Sequence, residues 1–404
     1  MYRIINKNKA ALLLAILTGL NLAWADSDDI PINQAQENAL LRATGPEFEI
    51  KRTPHFLIAF DTERSLVNDL VSRLEYTYHA VYRFCKACKI NARQPNHRLE
   101  VIFFNNREKY DRYSAGLAFA SAGTYGMYYE PTNRSAFFNA INGPQMTTLY
   151  AGIITYQDRL NMLLKYLKNI KNNHTPMEIE FNNGRCVLMT KKQVEKEIAS
   201  AQQSLKTLDK KRKVYSEHIN QTVIQHETAH QVLFNAGIHI RGAENPIWLV
   251  EGLACLFETP PSATGTGFAV INQQRLKDFR SAVAGSSSKH SLKSNDFLEA
   301  LRHSRITPLQ DLITNPHLLN REGQSGATQY ALAWALTHYL HRVKTKQFAA
   351  YLQDFRSRKS DTRLRPADQL ALFEKHFGPI DKTFQKRWGN YILGLKVRST
   401  GPKL

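Results

Sequence analysis

The chain has 404 residues, of which 43% are hydrophobic and 22% charged, and Lys and Arg outnumber Asp and Glu to give a formal net charge of +19. This length and apolar content suit one large globular domain or two lobes, and they exclude a disordered or low-complexity chain. There is no internal repeat, and the only long apolar run stands at the N-terminus.

That run reads as an export signal. Arg3, Lys7 and Lys9 form a positive n-region, Ala10–Leu20 an apolar stretch, and Ala23 and Ala25 an A-x-A cleavage signal before Asp26. This eleven-residue stretch falls short of the roughly 20 apolar residues needed to span a bilayer. The expected protein is therefore periplasmic or secreted, released from a bacterial Sec-type signal peptide at residues 1–25, with no transmembrane segment after cleavage. Cleavage removes three basic and no acidic residues, which lowers +19 to +16. Such an excess favours anionic envelope surfaces or acidic substrates. Nucleic acid is not an expected partner of an exported chain.

Residues 26–47 are polar and read as extended. Phe48–Phe60 (FEIKRTPHFLIAF) alternates and then becomes continuously apolar, which predicts strands. Leu66, Leu70, Leu74, Tyr78 and Val81 predict a helix over 63–88, and Leu99–Phe104 (LEVIFF) a buried strand. A turn into a short helix follows at Asn105. Ala122–Phe138 reads as two strands around a turn at Glu130–Asn133. Residues 26–144 thus form an N-terminal mixed α/β lobe.

Residues 145–215 read as a helical and hairpin insertion. Residues 145–175 look helical, and Met177–Thr190 has two strand-like arms around Asn183-Gly184, a hairpin signal. Thr190 begins T-x-x-Q, a capping box that opens a helix with a narrow stripe at Val194, Ile198, Ala201, Leu205 and Leu208. The KKRK run at Lys210–Lys213 reads as a solvated helix face, with a binding patch as the alternative. Residues 216–404 read as a helical lobe, with helices at 220–236, 246–258, 272–284, 295–303, 326–343, 346–356, 366–376 and 381–395.

Four cysteines, Cys85, Cys88, Cys186 and Cys255, allow up to two disulfides in an oxidising compartment. The CxxC at Cys85 and Cys88 reads as a local disulfide or as two buried thiols. Its spacing does not make a structural zinc site.

The chemistry concentrates in Ile224–Gly237 (IQHETAHQVLFNAG), which holds the pattern H-E-x-x-H. Residues four apart share a helix face, so His226 and His230 project together as ligands for one Zn²⁺. Glu227 stands about 100° around the helix, where it reaches water on the metal and serves as general base. A metzincin needs Gly and His three and six residues past the second His, but Leu233 and Ala236 stand there. A Glu on the next helix is the other pattern, and Glu251 in Pro246–Glu258 (PIWLVEGLACLFE) follows His230 by 21 positions. Two His and one Glu leave a fourth position for water, the arrangement of a catalytic site.

HETAHQ followed by PIWLVEGLACLFE resembles the gluzincins, the metallopeptidases whose zinc ligands are HExxH plus a downstream Glu. More closely, it is similar to a bacterial family of exported, peptidase-like proteins catalogued as a domain of unknown function, in which HExxHQ, NxG and PxWLxEGLAxxFE recur together. The resemblance runs from the FLIAF strand to FGPIDKTFQKRWGNYI and leaves 145–215 aside. It implies one zinc ion on His226, His230 and Glu251, Glu227 as general base, and a peptide or protein substrate. It also implies Tyr330 as an oxyanion donor, against the alternative of a core tyrosine beside Trp334. Glu258 reads either as the carboxylate that holds a ligand histidine or as a helix-end charge. Thermolysin-like proteins often carry Asp four residues past the ligand Glu, where this chain has Cys255. By the same resemblance the 122–138 hairpin is the candidate strand for pairing with an extended peptide. The expected fold is α+β and gluzincin-like: the mixed lobe with a small sheet, the helical lobe, and a zinc cleft between them. A zinc-binding but catalytically idle module on an anionic envelope component is the alternative function.

Overall fold

A computed structural model describes residues 30–396, except 118–123, 141–142, 170–174, 181–184, 260–265, 286–291, 318, 320–325 and 361–362. The export signal, the Asn183-Gly184 turn and most of the loops at 260–267 and 285–295 lie outside the described residues.

Strand alternation builds a five-stranded sheet from β1 (Glu49–Arg52), β2 (Phe56–Phe60), β3 (Leu99–Phe104), β4 (Gly126–Tyr129) and β5 (Arg134–Phe138). Their order is β1-β2-β3-β5-β4. The central β2, β3 and β5 are parallel, while β1 and β4 are antiparallel edges. Every residue of β2 is buried, as expected of parallel strands covered on both faces. Phe56, Ile58, Phe60, Val101 and Phe103 face one way, into the main core with Val67, Leu70 and Leu74 of α2 (Arg64–Ala87). Leu57, Ala59, Ile102 and Phe104 face the other way, under Leu40 of α1 (Gln34–Thr44) and Tyr110 of α3 (Arg107–Gly116).

Helix α1 corrects the extended reading of 26–47. The Asn33 side chain caps it by accepting from Gln36 N, and Gly45 at φ 117° ends it. Leu40 is its only fully sealed apolar residue, and the buried Glu37 is held by an ion pair with Arg52. One apolar anchor gives no readable helical period, so the sequence pattern concealed the helix.

Helix α4 (Pro144–Asn169), the hairpin β6 (Met177–Glu180) and β7 (Cys186–Met189), and the first half of α5 (Lys191–Asn235) close around a satellite core. Leu160, Leu163, Ile179, Val194 and Ile198 fill it. Thr190 and Gln193 form the expected capping box. The sequence reading divided the chain at 215/216 and ended one helix before 220. Instead α5 runs unbroken for 45 residues, roughly 68 Å. No Pro or Gly interrupts it, and Asp209 bridges the basic run through Arg212 (2.8 Å) and Lys213 (3.4 Å).

Helices α6 (Ile247–Cys255), α7 (Gln273–Ala284), α8 (Ser294–Arg302), α9 (Leu309–Thr314), α10 (Gly326–Val343), α11 (Thr345–Arg356), α12 (Pro366–Phe377) and α13 (Lys382–Gly394) share the main core with one sheet face. The six-residue α9 escaped the sequence reading because one and a half turns carry too little periodicity. The architecture is α+β, mostly helical with a small mixed sheet. Among the described residues no helix is long and apolar enough to cross a membrane.

All four cysteines are free. Cys85 and Cys88 are buried thiols whose pKa burial pushes up to about 12, which removes the thiolate that redox chemistry needs.

Helices α6 and α10 meet at Gly252. A Cβ there would lie 2.1 Å from Thr337 Oγ1 and 2.6 Å from the Ala333 carbonyl oxygen. Gly252→Ala should therefore force the helices apart and destabilise the protein by roughly 1–3 kcal/mol. Equilibrium denaturation measures this, and an unchanged midpoint would refute the contact.

His338 and His341 of α10 are buried, and burial lowers both to about 4 from the ordinary 6.5. The folded state thus keeps them neutral while the unfolded chain takes up protons. Their contribution is complete above about pH 6.5 and is lost as pH falls toward about 4. Unfolding free energies from urea titrations should drop between pH 7 and pH 5, by on the order of 2 kcal/mol per histidine. A His338→Gln/His341→Gln chain should show less of that drop.

Candidate metal centre

The second half of α5 carries the HETAH pattern and is tied to the sheet by the polar residues that follow it. Gln231 Nε2 donates to the Glu100 and Asn133 carbonyls, 2.9 Å each, and Ser135 Oγ donates to Gln231 Oε1 at 3.0 Å. One turn later, Asn235 and Asn133 exchange amide hydrogen bonds of 2.8 and 3.1 Å. Asn133 can face the helix because it sits in the left-handed region, at φ 56°, a conformation asparagine tolerates. These bonds set the rotation of α5.

That rotation directs His226 and His230 toward α6, a nine-residue helix whose only charged residue is Glu251. His226, His230 and Glu251 are all buried. His226 Nε2 lies 3.0 Å from His230 Nε2 and 3.0 Å from Glu251 Oε2, and His230 Nε2 lies 3.4 Å from Glu251 Oε2. The structure thus brings the three predicted ligands together, with one donor atom from each at a common point, and together they could hold a metal ion. Burial would raise Glu251, but the charge of His230 and hydrogen bonds from both histidines outweigh it and hold the carboxyl well below the ordinary range.

Glu258 supports His226 from behind. His226 Nδ1 donates to Glu258 Oε1 at 2.9 Å, which leaves Nε2 as the ligand atom. Arg275 donates to both Glu258 oxygens, Nη2 to Oε1 at 2.6 Å and Nε to Oε2 at 2.9 Å. Asn272 Nδ2 donates to Oε2 at 2.6 Å. Burial raises the Glu258 pKa, but the charge of Arg275 and these hydrogen bonds bring it below the usual carboxylate range. Glu258 does not continue the α6 face, since the helix ends at Cys255. It reaches His226 from the turn beyond, and Cys255 Sγ, at the position where thermolysin-like chains often have Asp, points to Glu258 Oε1 at 3.4 Å. Sequence reasoning missed Arg275 and Asn272, which lie more than 40 residues from the motif and have no spacing signal. His230 Nδ1, by contrast, has no hydrogen-bond partner among the described residues.

Among the described residues two other groups have metal-ligating side chains. In His226, Cys255 and Glu258, the carboxylate is already saturated by Arg275 and Asn272. In His55, Glu75 and His79, His55 Nδ1 lies 2.6 Å from Glu75 Oε2 as in a hydrogen bond, while His79 Nε2 is 4.0 Å away. The arrangement of His226, His230 and Glu251 suits one ion better than either.

Glu227, next to His226 on α5, accepts from Tyr128 N of β4 at the sheet edge, with Oε2 at 2.8 Å. Tyr330 of α10 is half-buried. Its ring stands edge-on to His226 at 5.7 Å, and the Arg275 guanidinium lies 4.9 Å over it. The nearby Glu251 charge and then burial push its phenol above its ordinary pKa, so it stays protonated and able to donate. Trp334, one turn on, is fully sealed.

The helix pair and its carboxylate define a protein with a candidate metal-binding HExxH centre. Residues 220–361 match a family described as "Protein of unknown function (DUF1570)". The matched stretch holds His226, Glu227, His230, Glu251, Glu258, Arg275 and Tyr330, and excludes the sheet and most of the satellite. No curated protein and no solved structure matches the chain.

If Glu258 orients His226, Glu258→Gln should lower Zn²⁺ affinity roughly 10–100-fold while leaving helix content unchanged. Competition with a chelator measures this, and wild-type affinity in the variant would show that Glu258 only neutralises Arg275.

Proposed function

We propose that the chain is an exported zinc-dependent metallohydrolase of gluzincin type, acting on peptides or proteins. The observation that carries this reading is the convergence of His226 Nε2, His230 Nε2 and Glu251 Oε2 within 3.0–3.4 Å. Tetrahedral zinc with donors at roughly 2.0–2.1 Å keeps neighbouring donors about 3.3 Å apart, and three protein donors is the number usual in catalytic sites. When bound, zinc supplies Lewis acidity and lowers the pKa of water to about 7.

Glu227 is the general base. The Tyr128 amide holds its Oε2, and Oε1 accepts no hydrogen bond among the described residues, so it is available for the proton of the attacking water. Tyr330, kept neutral beside Glu251, donates to the oxyanion that develops on the substrate carbonyl. Strand β4 is the sheet edge nearest Glu227, so an extended peptide lies along it by strand addition. The positive charge of the chain favours acidic substrates or an anionic envelope surface.

Purified protein should contain one zinc per chain, and Glu227→Gln should keep the metal while cutting peptide-library cleavage by roughly 10²–10⁴-fold. Metal-free protein with intact histidines, or equal cleavage by both chains, would sink the proposal.

A further inference from the structure

Where the chain leaves α5, a second concentration of charge appears that the metal centre does not use. A cavity of about 490 Å³ opens around Gly237. Arg93, Arg241, Arg356 and Arg358 line it, and no carboxylate among the described residues does. They come from three separate segments: the connection before β3, the loop after α5, and the end of α11. Their meeting is therefore made by the fold, not by a basic run in the sequence.

Gly237 holds the centre. Its φ of +73° suits glycine. A Cβ there would stand 3.3 Å from Arg93 Nε and 3.5 Å from Arg356 Nη2, so these groups lie no more than about 7 Å apart. The missing side chain leaves the space between them open.

The guanidinium groups are poorly compensated. Arg93 makes no side-chain hydrogen bond or ion pair among the described residues, and Arg358 Nη1 is buried without a partner. Arg356 Nε donates to the Gly237 carbonyl at 2.9 Å, and Arg358 Nη2 to the Glu244 carbonyl at 3.2 Å. Among the described residues only Arg241 of the four has a carboxylate at ion-pair distance, Glu130 at 3.8 Å. Glu244, the other acid nearby, turns its carboxylate to Leu364 N. Arg358 Nε also donates to the Phe355 carbonyl at 3.0 Å, and Arg241 Nη2 to Asn133 Oδ1 at 2.6 Å and to the Tyr128 hydroxyl at 3.2 Å. The N–H groups left over, above all those of Arg93 and the Nη groups of Arg356, match the oxygens of a carboxylate or phosphate.

We propose that this pocket is an oxyanion-binding site, taking a carboxylate or phosphate group of a ligand. It is distinct from the metal ligands. Gly237 lies seven residues past His230, beyond the end of α5 at Asn235, and none of the four arginines belongs to the metal-ligating group; Phe234 and His239, with ring centroids 4.9 Å apart, line the pocket between them. The site requires no hydrolytic activity.

Isothermal titration of inorganic phosphate into the full chain at fixed ionic strength tests it. Saturable binding of one phosphate per chain is expected. It should weaken at least roughly tenfold in Arg93→Gln and in Arg356→Gln, and be unchanged in Lys211→Gln, an exposed control on α5. Absence of saturable binding, or full affinity in Arg93→Gln as for phosphate held on a metal ion, overturns the proposal. A peptide with a free C-terminal carboxylate, titrated beside its amide, identifies the source. Tighter binding of the free acid that Arg93→Gln abolishes assigns the pocket to a peptide carboxylate, while binding of phosphate alone assigns it to a phosphate ligand.

Discussion

Charge compensation around His226 is the constraint on which the metal centre rests. His226, His230, Glu251 and Glu258 are buried together with much of Arg275, and buried charge is tolerated only where it is paired and hydrogen-bonded. Glu258 meets that condition with donors from His226, Arg275 and Asn272. Asn272 also caps α7, accepting from Arg275 N at 3.1 Å, so the cap that starts α7 places the arginine that neutralises Glu258. Arg275 in turn lies over the Tyr330 ring. One carboxylate thus relates the positions of α5, α6, α7 and α10.

The same helix answers to the sheet. In HETAHQ the glutamine follows the ligand histidine directly, and its amide spans Glu100 of β3 and Asn133 and Ser135 at the start of β5. Residues one position apart differ by about 100° around a helix. Locking Gln231 to the strands therefore sends His226 and His230 into the core and Glu227 to the β4 edge. Gly252 lets α6 come close to α10 beside Glu251. The motif letters around the ligands are largely packing requirements that make the ligand geometry attainable.

Much of this was legible in the sequence. H-E-x-x-H and the Glu in W-L-V-E-G named three residues that converge, because their spacing follows from helix geometry and an apolar helix cannot carry an isolated carboxylate without partners. FLIAF and LEVIFF announced buried strands for the same reason of periodicity. What was not legible depended on distant or weak signals. Arg275 and Asn272 complete the cluster through tertiary contacts alone, Leu40 is too solitary to reveal α1, and the four arginines are scattered over more than 260 positions. The division at 215/216 is absent because a solvated helix continues without an apolar stripe where Asp209 pairs with its basic neighbours.

The 45-residue length of α5 separates where that helix begins from where it functions. Its capping box stands at Thr190, 36 residues and roughly 54 Å before His226. No proline, glycine or second cap lies between them. The helical start of the metal-ligand segment is therefore borrowed from the satellite, whose core clamps the far end of the same rod. A chain from which the satellite were excised would expose four uncapped amides close to its metal ligands, so trimming this protein to its helical half requires a new N-terminal cap to be written into α5.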